Sequence, residues 1–162
     1  MKLKIITLLF AITAAYPECF AQQYFQQEVN YRIKVELDDS LHFLSGFEEI
    51  EYVNNSPDNL EYIWFHLWAN SFSDNNTALA KQKLELNGKR KLFEIDSQRG
   101  FIDSLDFKVN GKAVSWSIDK DHIDICRINL NEPLKSGGSI TITTPFYVKI
   151  PGGSSSKFGH VD

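Results

Sequence analysis

The clearest pattern in the chain is an alternation of apolar and polar residues between residues 31 and 53. In the first stretch the apolar side chains fall at every second position, at Tyr31, Ile33, Val35 and Leu37. A second alternating stretch starts at Phe43, after a polar break at residues 38–40. A period of two is typical of half-buried β-strands, and a short polar link joins two of them into an antiparallel hairpin. Residues 31–53 therefore predict a hairpin onto which later strands are laid.

Later segments repeat the strand pattern. Strands are predicted over residues 60–68, 101–109, 113–118, 121–130 and 139–150. The first of these is nearly continuous in apolar and aromatic residues, which is typical of a strand covered on both faces or central in a sheet. Asn110-Gly111 predicts a tight hairpin turn, and residues 131–138 predict a further turn. Pro145 predicts a bend or a sheet edge within the last strand, because proline cannot donate to a ladder.

One segment departs from the strand pattern. Residues 77–86 are rich in alanine, leucine, lysine and glutamine, which favour helix. We expect a short helix that begins at a cap formed by Asn75 or Asn76 and ends at Asn87-Gly88. Seven or eight strands with one short helix predict an all-β, antiparallel, sandwich-like domain.

The first residues predict export rather than a folded element. Lys2 and Lys4 precede an uncharged apolar run at residues 5–15, and Cys19-Phe20-Ala21 supplies a plausible cleavage site. This pattern is typical of a secretory signal peptide at residues 1–21, with a retained membrane anchor as the alternative. We expect an exported protein of the periplasm, cell envelope or medium, with no membrane span after cleavage. The predicted domain is residues 22–150, and residues 151–162 are predicted to be a linker or the start of a truncated next segment.

The composition and charge of the chain limit the classes of molecule that it is expected to bind. The 162 residues are 43% hydrophobic and 23% charged, as in an ordinary globular domain, and the formal net charge is −4. A mildly acidic chain without basic clusters argues against a nucleic acid as partner.

Groups that could carry chemistry are isolated along the chain. The four histidines stand singly, at His42, His66, His122 and His160. A zinc hydrolase motif H-E-x-x-H is absent, so His66 is interpreted as a strand histidine rather than a metal ligand or acid–base group. Cys126 remains after signal cleavage; it is interpreted as a packed strand residue, with pairing between chains or nucleophilic chemistry as alternatives. The residues predict no catalytic, cofactor-binding or metal-binding site in this chain.

Several stretches together resemble one enzyme family, and they occur in the family's order. They are Y-R-I-K-V at 31–35, L-S-G-F-E-E-I-E-Y-V-N-N-S-P at 44–57, I-W-F-H-L-W-A-N at 63–70, T-A-L-A-K at 77–81, F-I-D-S-L at 101–105, V-N-G at 109–111, L-N-E-P-L at 130–134 and I-P at 150–151. This ordered set resembles the N-terminal domain of the M1 zinc metallopeptidases, the aminopeptidase N and leukotriene A4 hydrolase group, in particular its exported bacterial members.

The resemblance implies a saddle-like β domain that packs against a thermolysin-like catalytic domain of the same polypeptide. In the family, the H-E-x-x-H zinc site and the G-x-M-E-N motif lie downstream of this domain, so zinc and peptide substrates are expected in the parent enzyme and not in this chain. We therefore expect a signal peptide and first domain of a larger aminopeptidase, inactive alone. The alternatives are a free-standing exported β-sandwich module for binding or adhesion, and a peptidase-like protein with a degraded zinc site.

Overall fold

The strands of the chain form two antiparallel sheets, in a computed structural model that describes residues 24–86, 93–153 and 158–160. The strands are β1 (Glu28–Asp38), β2 (Phe43–Val53), β3 (Leu60–His66), β4 (Phe101–Asp103), β5 (Lys108–Val109), β6 (Lys112–Ala113), β7 (Trp116–Ile118), β8 (Ile125–Leu134) and β9 (Ser139–Lys149). Sheet A has the order β1-β2-β9-β5-β6, with β4 also paired to β9, and sheet B has the order β3-β8-β7. One helix, α1 (Ala78–Leu86), and two short 3-10 turns, Trp68–Phe72 and Asp96–Gln98, complete the described elements. The prediction of an all-β fold with one short helix is confirmed.

The hairpin predicted at residues 31–53 is present as β1 and β2. The two strands pair without a register shift from Glu28 opposite Val53 to Asp38 opposite Phe43. In the link between them, the Asp38 carboxylate accepts hydrogen bonds from the backbone N–H groups of Ser40 and Leu41, at 3.1 and 2.9 Å. A short side chain that bonds the backbone two residues later favours a tight turn, which explains why the polar break separates the strands here.

The core lies between the two sheets. Sheet A contributes Ile50 of β2 and Ile142 of β9, which are directly opposite each other, and sheet B contributes Ile63 of β3 opposite Ile128 of β8. Phe107, which is 1% exposed, packs on the same cluster. Because directly paired residues project from the same side of a sheet, these pairs identify the inner face of each sheet.

Strand β3 lies at an edge of sheet B and not at a central position. Its one strand partner among the described residues is β8, and its outward-facing side chains Tyr62, Trp64 and His66 are exposed. The prediction of a central or doubly covered strand was wrong, because the aromatic side chains of its outer face point to solvent. The strand also ends at His66, where the chain turns into the 3-10 turn Trp68–Phe72.

The predicted strands at residues 101–109 and 113–118 are each divided. Ser104 adopts a positive φ of 59°, and the segment therefore splits into β4 and β5. Asn110 and Gly111 have φ values of 50° and 76°, which confirms the predicted tight turn between β5 and β6. The return segment changes sheets: β6 pairs with β5 in sheet A, whereas β7 pairs with β8 in sheet B. A single chain segment thus links the two sheets.

Strand β9 is central in sheet A, with β2 on one side and β4 and β5 on the other. Pro145 is tolerated there because the second side is interrupted. Strand β4 pairs with residues 147–149 and β5 with residues 142–143, which leaves no strand partner between them. In this gap the backbone N–H of Asp106 donates to the Thr144 hydroxyl at 2.9 Å. Strand β8 begins later than predicted and continues through Pro133 to Leu134, so the turn before β9 is shorter than expected.

The predicted helix is present as α1, but the residue that caps it differs. The hydroxyl of Thr77 accepts a hydrogen bond from the backbone N–H of Ala80 at 3.2 Å, which is the geometry of an N-cap. Asn75 instead accepts from the backbone of Phe93, at 3.3 Å. The predicted end of the helix at Asn87-Gly88 lies outside the described residues.

A buried asparagine joins the loop after β2 to the turn before β9. Asn54 has no exposed surface, and its side-chain amide donates to the carbonyl oxygens of Asp58 and Leu134, at 2.8 and 3.1 Å. Its side-chain oxygen accepts from the backbone N–H and the hydroxyl of Ser56, at 3.0 and 2.6 Å. The backbone of Asn54 also bonds to that of Gly137 and Gly138. We call this group the Asn54 clasp.

The described part of residues 151–162 lies against the domain. Gly152 and His160 form a parallel bridge, and the Phe158 ring lies 5.3 Å from that of Phe72. The signal peptide predicted at residues 1–21 falls outside the described residues. Within the described ranges, no helix has both the length and the apolar character needed to cross a membrane.

Candidate functional site

The largest apolar side chains of β1 are exposed although they belong to the inner face of sheet A. Pairing places Tyr31 opposite Ile50, which is in the core, so the alternate residues of β1 project toward the same side. The exposed fractions of Tyr31, Ile33, Val35 and Leu37 are 61%, 53%, 57% and 57%. We call these four residues the β1 stripe. The alternation predicts that one face of this strand is buried. For these four residues the prediction was wrong, because each is more than half exposed.

The β1 stripe is exposed because sheet B is narrower than sheet A. Sheet B and the core cover the end of the hairpin near Val29 and Tyr52, which pack on the central cluster. Towards the turn of the hairpin, the inner face of β1 extends past that cover. An apolar row of this kind, continuous with a core face, marks a surface that buries itself against another element or another molecule.

A carboxylate lies beside the β1 stripe. Glu48 of β2 is directly opposite Ile33 on one side and Thr144 of β9 on the other, so it belongs to the inner face. Burial raises the pKa of Glu48 above its usual range, because a low-dielectric surrounding penalises the charged form. Its neighbour Glu49 lies on the outer face and forms an ion pair with Arg32. The two adjacent acids Glu48 and Glu49 therefore point to opposite faces of sheet A.

A second exposed apolar surface lies on the outer face of sheet B. It consists of Tyr62, Trp64, His66 and Trp68, which we call the aromatic row. The Tyr62 and Trp64 rings meet edge to face at 5.9 Å, and the His66 and Trp68 rings stack at 5.6 Å. The guanidinium of Arg127 lies 3.9 Å from the centre of the Tyr62 ring, in a cation–π contact. His66 is therefore part of an aromatic surface.

The histidines do not assemble into a metal site among the described residues. Nδ1 of His122 lies 3.3 Å from Oδ1 of Asp119 in an exposed loop. The rings of His42 and His160 stack with their centres 3.4 Å apart, a contact that their separation in sequence does not predict. Within residues 24–86, 93–153 and 158–160, no three His, Cys, Asp or Glu side chains come close enough to hold a metal ion.

Cys126 is a packed core residue. It has no exposed surface and lies in the central cluster on β8, opposite Phe65 of β3 and Ile118 of β7. Burial, with a smaller contribution from the charge of Glu48, raises the pKa of the Cys126 thiol to about 11. A thiol that is buried and protonated at neutral pH is inert as a nucleophile, and it is out of reach of a second chain. The interpretation as a packed strand residue is favoured over both alternatives.

The comparisons with known proteins add no family assignment. A scan against models of protein families matches none to this chain, and a search of curated proteins likewise finds no match. The resemblance to the M1 metallopeptidases therefore remains a prediction from the residues quoted above.

The two exposed surfaces could be anticipated only in part. Alternation assigns Tyr31, Ile33, Val35 and Leu37 to one face of the strand. Whether that face is exposed depends on how far the opposite sheet extends, which is set by pairings between distant segments. The aromatic content of β3 was visible in the sequence, whereas its position at a sheet edge was not.

Proposed function

We propose that this chain is the non-catalytic N-terminal domain of an exported, M1-like zinc aminopeptidase, in which it braces the catalytic domain and walls the active-site cavity. The proposal has two supports. The first is the ordered set of family-like segments that extends from residue 31 to residue 151. The second, which carries the structural argument, is the β1 stripe.

The β1 stripe favours a second domain of the same polypeptide as its cover. Its four side chains extend a face that elsewhere is buried in the core, and each is more than half exposed. Water-exposed apolar surface is costly, at roughly 25 cal/mol per Å², so a layer packed on the stripe would stabilise the assembled protein. The catalytic domain would supply that layer, together with the zinc ion and the groups that activate water for peptide hydrolysis. No residue of this chain is assigned a step of that reaction.

The decisive experiment is to sequence the reading frame beyond Asp162. We expect an H-E-x-x-H motif followed by a third, acidic zinc ligand, since two histidines and a glutamate form the site of such peptidases. A stop codon directly after Asp162 would overturn the proposal, and a downstream domain lacking these ligands would instead indicate a degraded site.

The β1 stripe has a separate test in the isolated chain. Purified residues 22–162 are expected to bind an apolar fluorescent dye more strongly than a compact monomer does. The double variant Ile33→Thr, Val35→Thr should lower that binding while the circular dichroism spectrum stays unchanged. Phe47→Thr is the matched control for the loss of an exposed apolar side chain outside the β1 stripe. Phe47 is 46% exposed and lies on the opposite face of the same sheet. Dye binding no higher than that of a well-packed monomer would contradict the role given to the stripe.

A free-standing binding module is the second candidate, and the aromatic row favours it. Exposed aromatic rings on a flat sheet face, with Arg127 beside them, are suited to contact an external ligand. In that case the reading frame ends without a catalytic domain. In either case, residues 22–162 are expected to bind no stoichiometric zinc and to cleave no aminoacyl reporter substrate.

A further inference from the structure

Strand β1 lies at an edge of sheet A in the described part of the chain. On one side it pairs with β2 through eleven consecutive residue pairs, and on the other side no strand of the described residues pairs with it. It contains no proline and no bulge, two of the devices that natural proteins use to block pairing at an edge. Charged side chains are a third such device, and β1 carries several, in an order that matters for its pairing. All of its residues except Val29 are exposed. The unpaired backbone of β1 is thus available to another strand.

The charges of β1 are ordered in a way that matches the strand to itself. From Arg32 to the end of the strand, its outer face carries two cations and then two acids, at Arg32, Lys34, Glu36 and Asp38. Two copies of β1 that run antiparallel with Val35 opposite Val35 bring Arg32 opposite Asp38 and Lys34 opposite Glu36. The two-fold axis repeats each contact, which gives four oppositely charged cross-strand pairs. The same alignment sets Ile33 opposite Leu37 on the apolar face.

Neighbouring registers are disfavoured by the same side chains. A shift of two residues in one direction sets Lys34 opposite Lys34 and leaves two opposite pairs, Arg32 with Glu36. A shift in the other direction sets Glu36 opposite Glu36 and leaves two opposite pairs, Lys34 with Asp38. Like charges that are directly opposite destabilise a strand pair. A shift of one residue brings the apolar face of one copy level with the charged face of the other. The charge order therefore favours the register with Val35 opposite Val35, which has four oppositely charged pairs and no like-charge pair.

We propose that two copies of this chain pair through the β1 edge in this register and form a two-fold symmetric dimer with sheet A continuous across the axis. The pairing uses the backbone of β1 and the outer charged face. It leaves the β1 stripe open on the inner face, where the stripes of the two copies join into a wider apolar surface. The proposal does not rest on the function proposed above, since it is argued from the pairing and the charges of β1 alone.

A charge swap tests the register. Sedimentation velocity of residues 22–162 at rising concentration and low salt should show the mass doubling, with weaker association at high salt. Lys34→Glu sets two acids opposite each other twice, so the dissociation constant should rise by about tenfold or more. Glu36→Lys should have the same effect, and the double variant Lys34→Glu, Glu36→Lys should restore the dimer. Within a single copy, Lys34 and Glu36 lie opposite the uncharged residues Phe47 and Ser45 of β2. These substitutions therefore remove no ion pair between directly opposite residues of β1 and β2.

A covalent test reports on the two-fold axis directly. Opposed residues of antiparallel strands have Cα atoms about 4.5–5.5 Å apart, which a disulfide can span. Val35→Cys should therefore yield a covalent dimer under mild oxidation, seen on a non-reducing gel. Lys112→Cys on the edge strand β6 is the control and should remain mainly monomeric. A monomer at every concentration, a dimer that Lys34→Glu leaves unchanged, or a double variant that fails to associate would overturn the proposal.

Discussion

Among single residues, Glu48 most directly reports the environment of the inner face of sheet A. It stands between Ile33 and Thr144 in the cross-strand row, and burial raises its pKa. The folded chain therefore holds the Glu48 proton more tightly than the unfolded chain does. The resulting contribution to the free energy of unfolding is complete below the unfolded pKa of Glu48. It is lost as the pH rises through the folded pKa. Above its folded pKa, the ionised Glu48 carboxylate is therefore less favourable in the folded chain than the protonated carboxyl.

Replacement of Glu48 by glutamine should relieve this cost. Glu48→Gln is expected to raise the free energy of unfolding at pH 7, and the advantage should shrink as the pH falls and the wild-type carboxyl becomes protonated. Urea unfolding from pH 3.5 to pH 7 measures both effects. Glu49→Gln on the outer face is the matched control and should not stabilise the chain, since it removes the ion pair with Arg32. A Glu48→Gln variant that is equally stable or less stable at pH 7 would contradict this account.

At the scale of elements, the Asn54 clasp holds the end of β2 to the turn that starts β9. Asn54→Ala removes the side-chain donor to the carbonyl oxygen of the buried Leu134 and the acceptor for the hydroxyl of the buried Ser56, whereas the Asp58 carbonyl keeps the Ser56 hydroxyl as a donor. Loss of partners for buried polar groups costs about 2–4 kcal/mol in total. Urea unfolding of the variant should show a loss of this size. Asn55→Ala is the control at the adjacent, exposed position and should cost clearly less; equal losses would argue that the clasp is not the cause.

The elements also show how far the sequence could be interpreted. Local signals were sufficient for the β1–β2 hairpin, the Asn110-Gly111 turn and the existence of α1, because each depends on neighbouring residues. Local signals were insufficient for features that depend on contacts between segments far apart in the sequence. The division of residues 113–118 between two sheets depends on separate pairings with β5 and β8. The exposure of the β1 stripe depends on the reach of the opposite sheet. The Asn54 clasp depends on Leu134, the last residue of β8, which lies 80 positions away along the chain.

At the scale of the whole molecule, β9 is the strand that unites sheet A. It pairs with β2 along its full length and with β4 and β5 on its other side. A chain that ends at Gly138 is therefore expected to lose cooperative unfolding, since the hairpin and the short strands lose their shared partner. Hydrogen exchange and a denaturant titration measure this loss. A chain that ends at Gly153 keeps β9 and is the control; a cooperative transition in the shorter chain would refute the role assigned to β9.

The pairing of β2 with β9 also has a kinetic consequence. The β1–β2 hairpin forms between neighbouring segments, but its next strand arrives only after most of the chain: Val53 pairs with Ser139, and Phe43 pairs with Lys149. Contacts between such distant segments close slowly, because loop entropy is lost before they form. During synthesis, sheet A stays incomplete until nearly all of these residues are available. Over that interval, β2 as well as β1 presents an open edge, and a holding chaperone would act on that form of the chain.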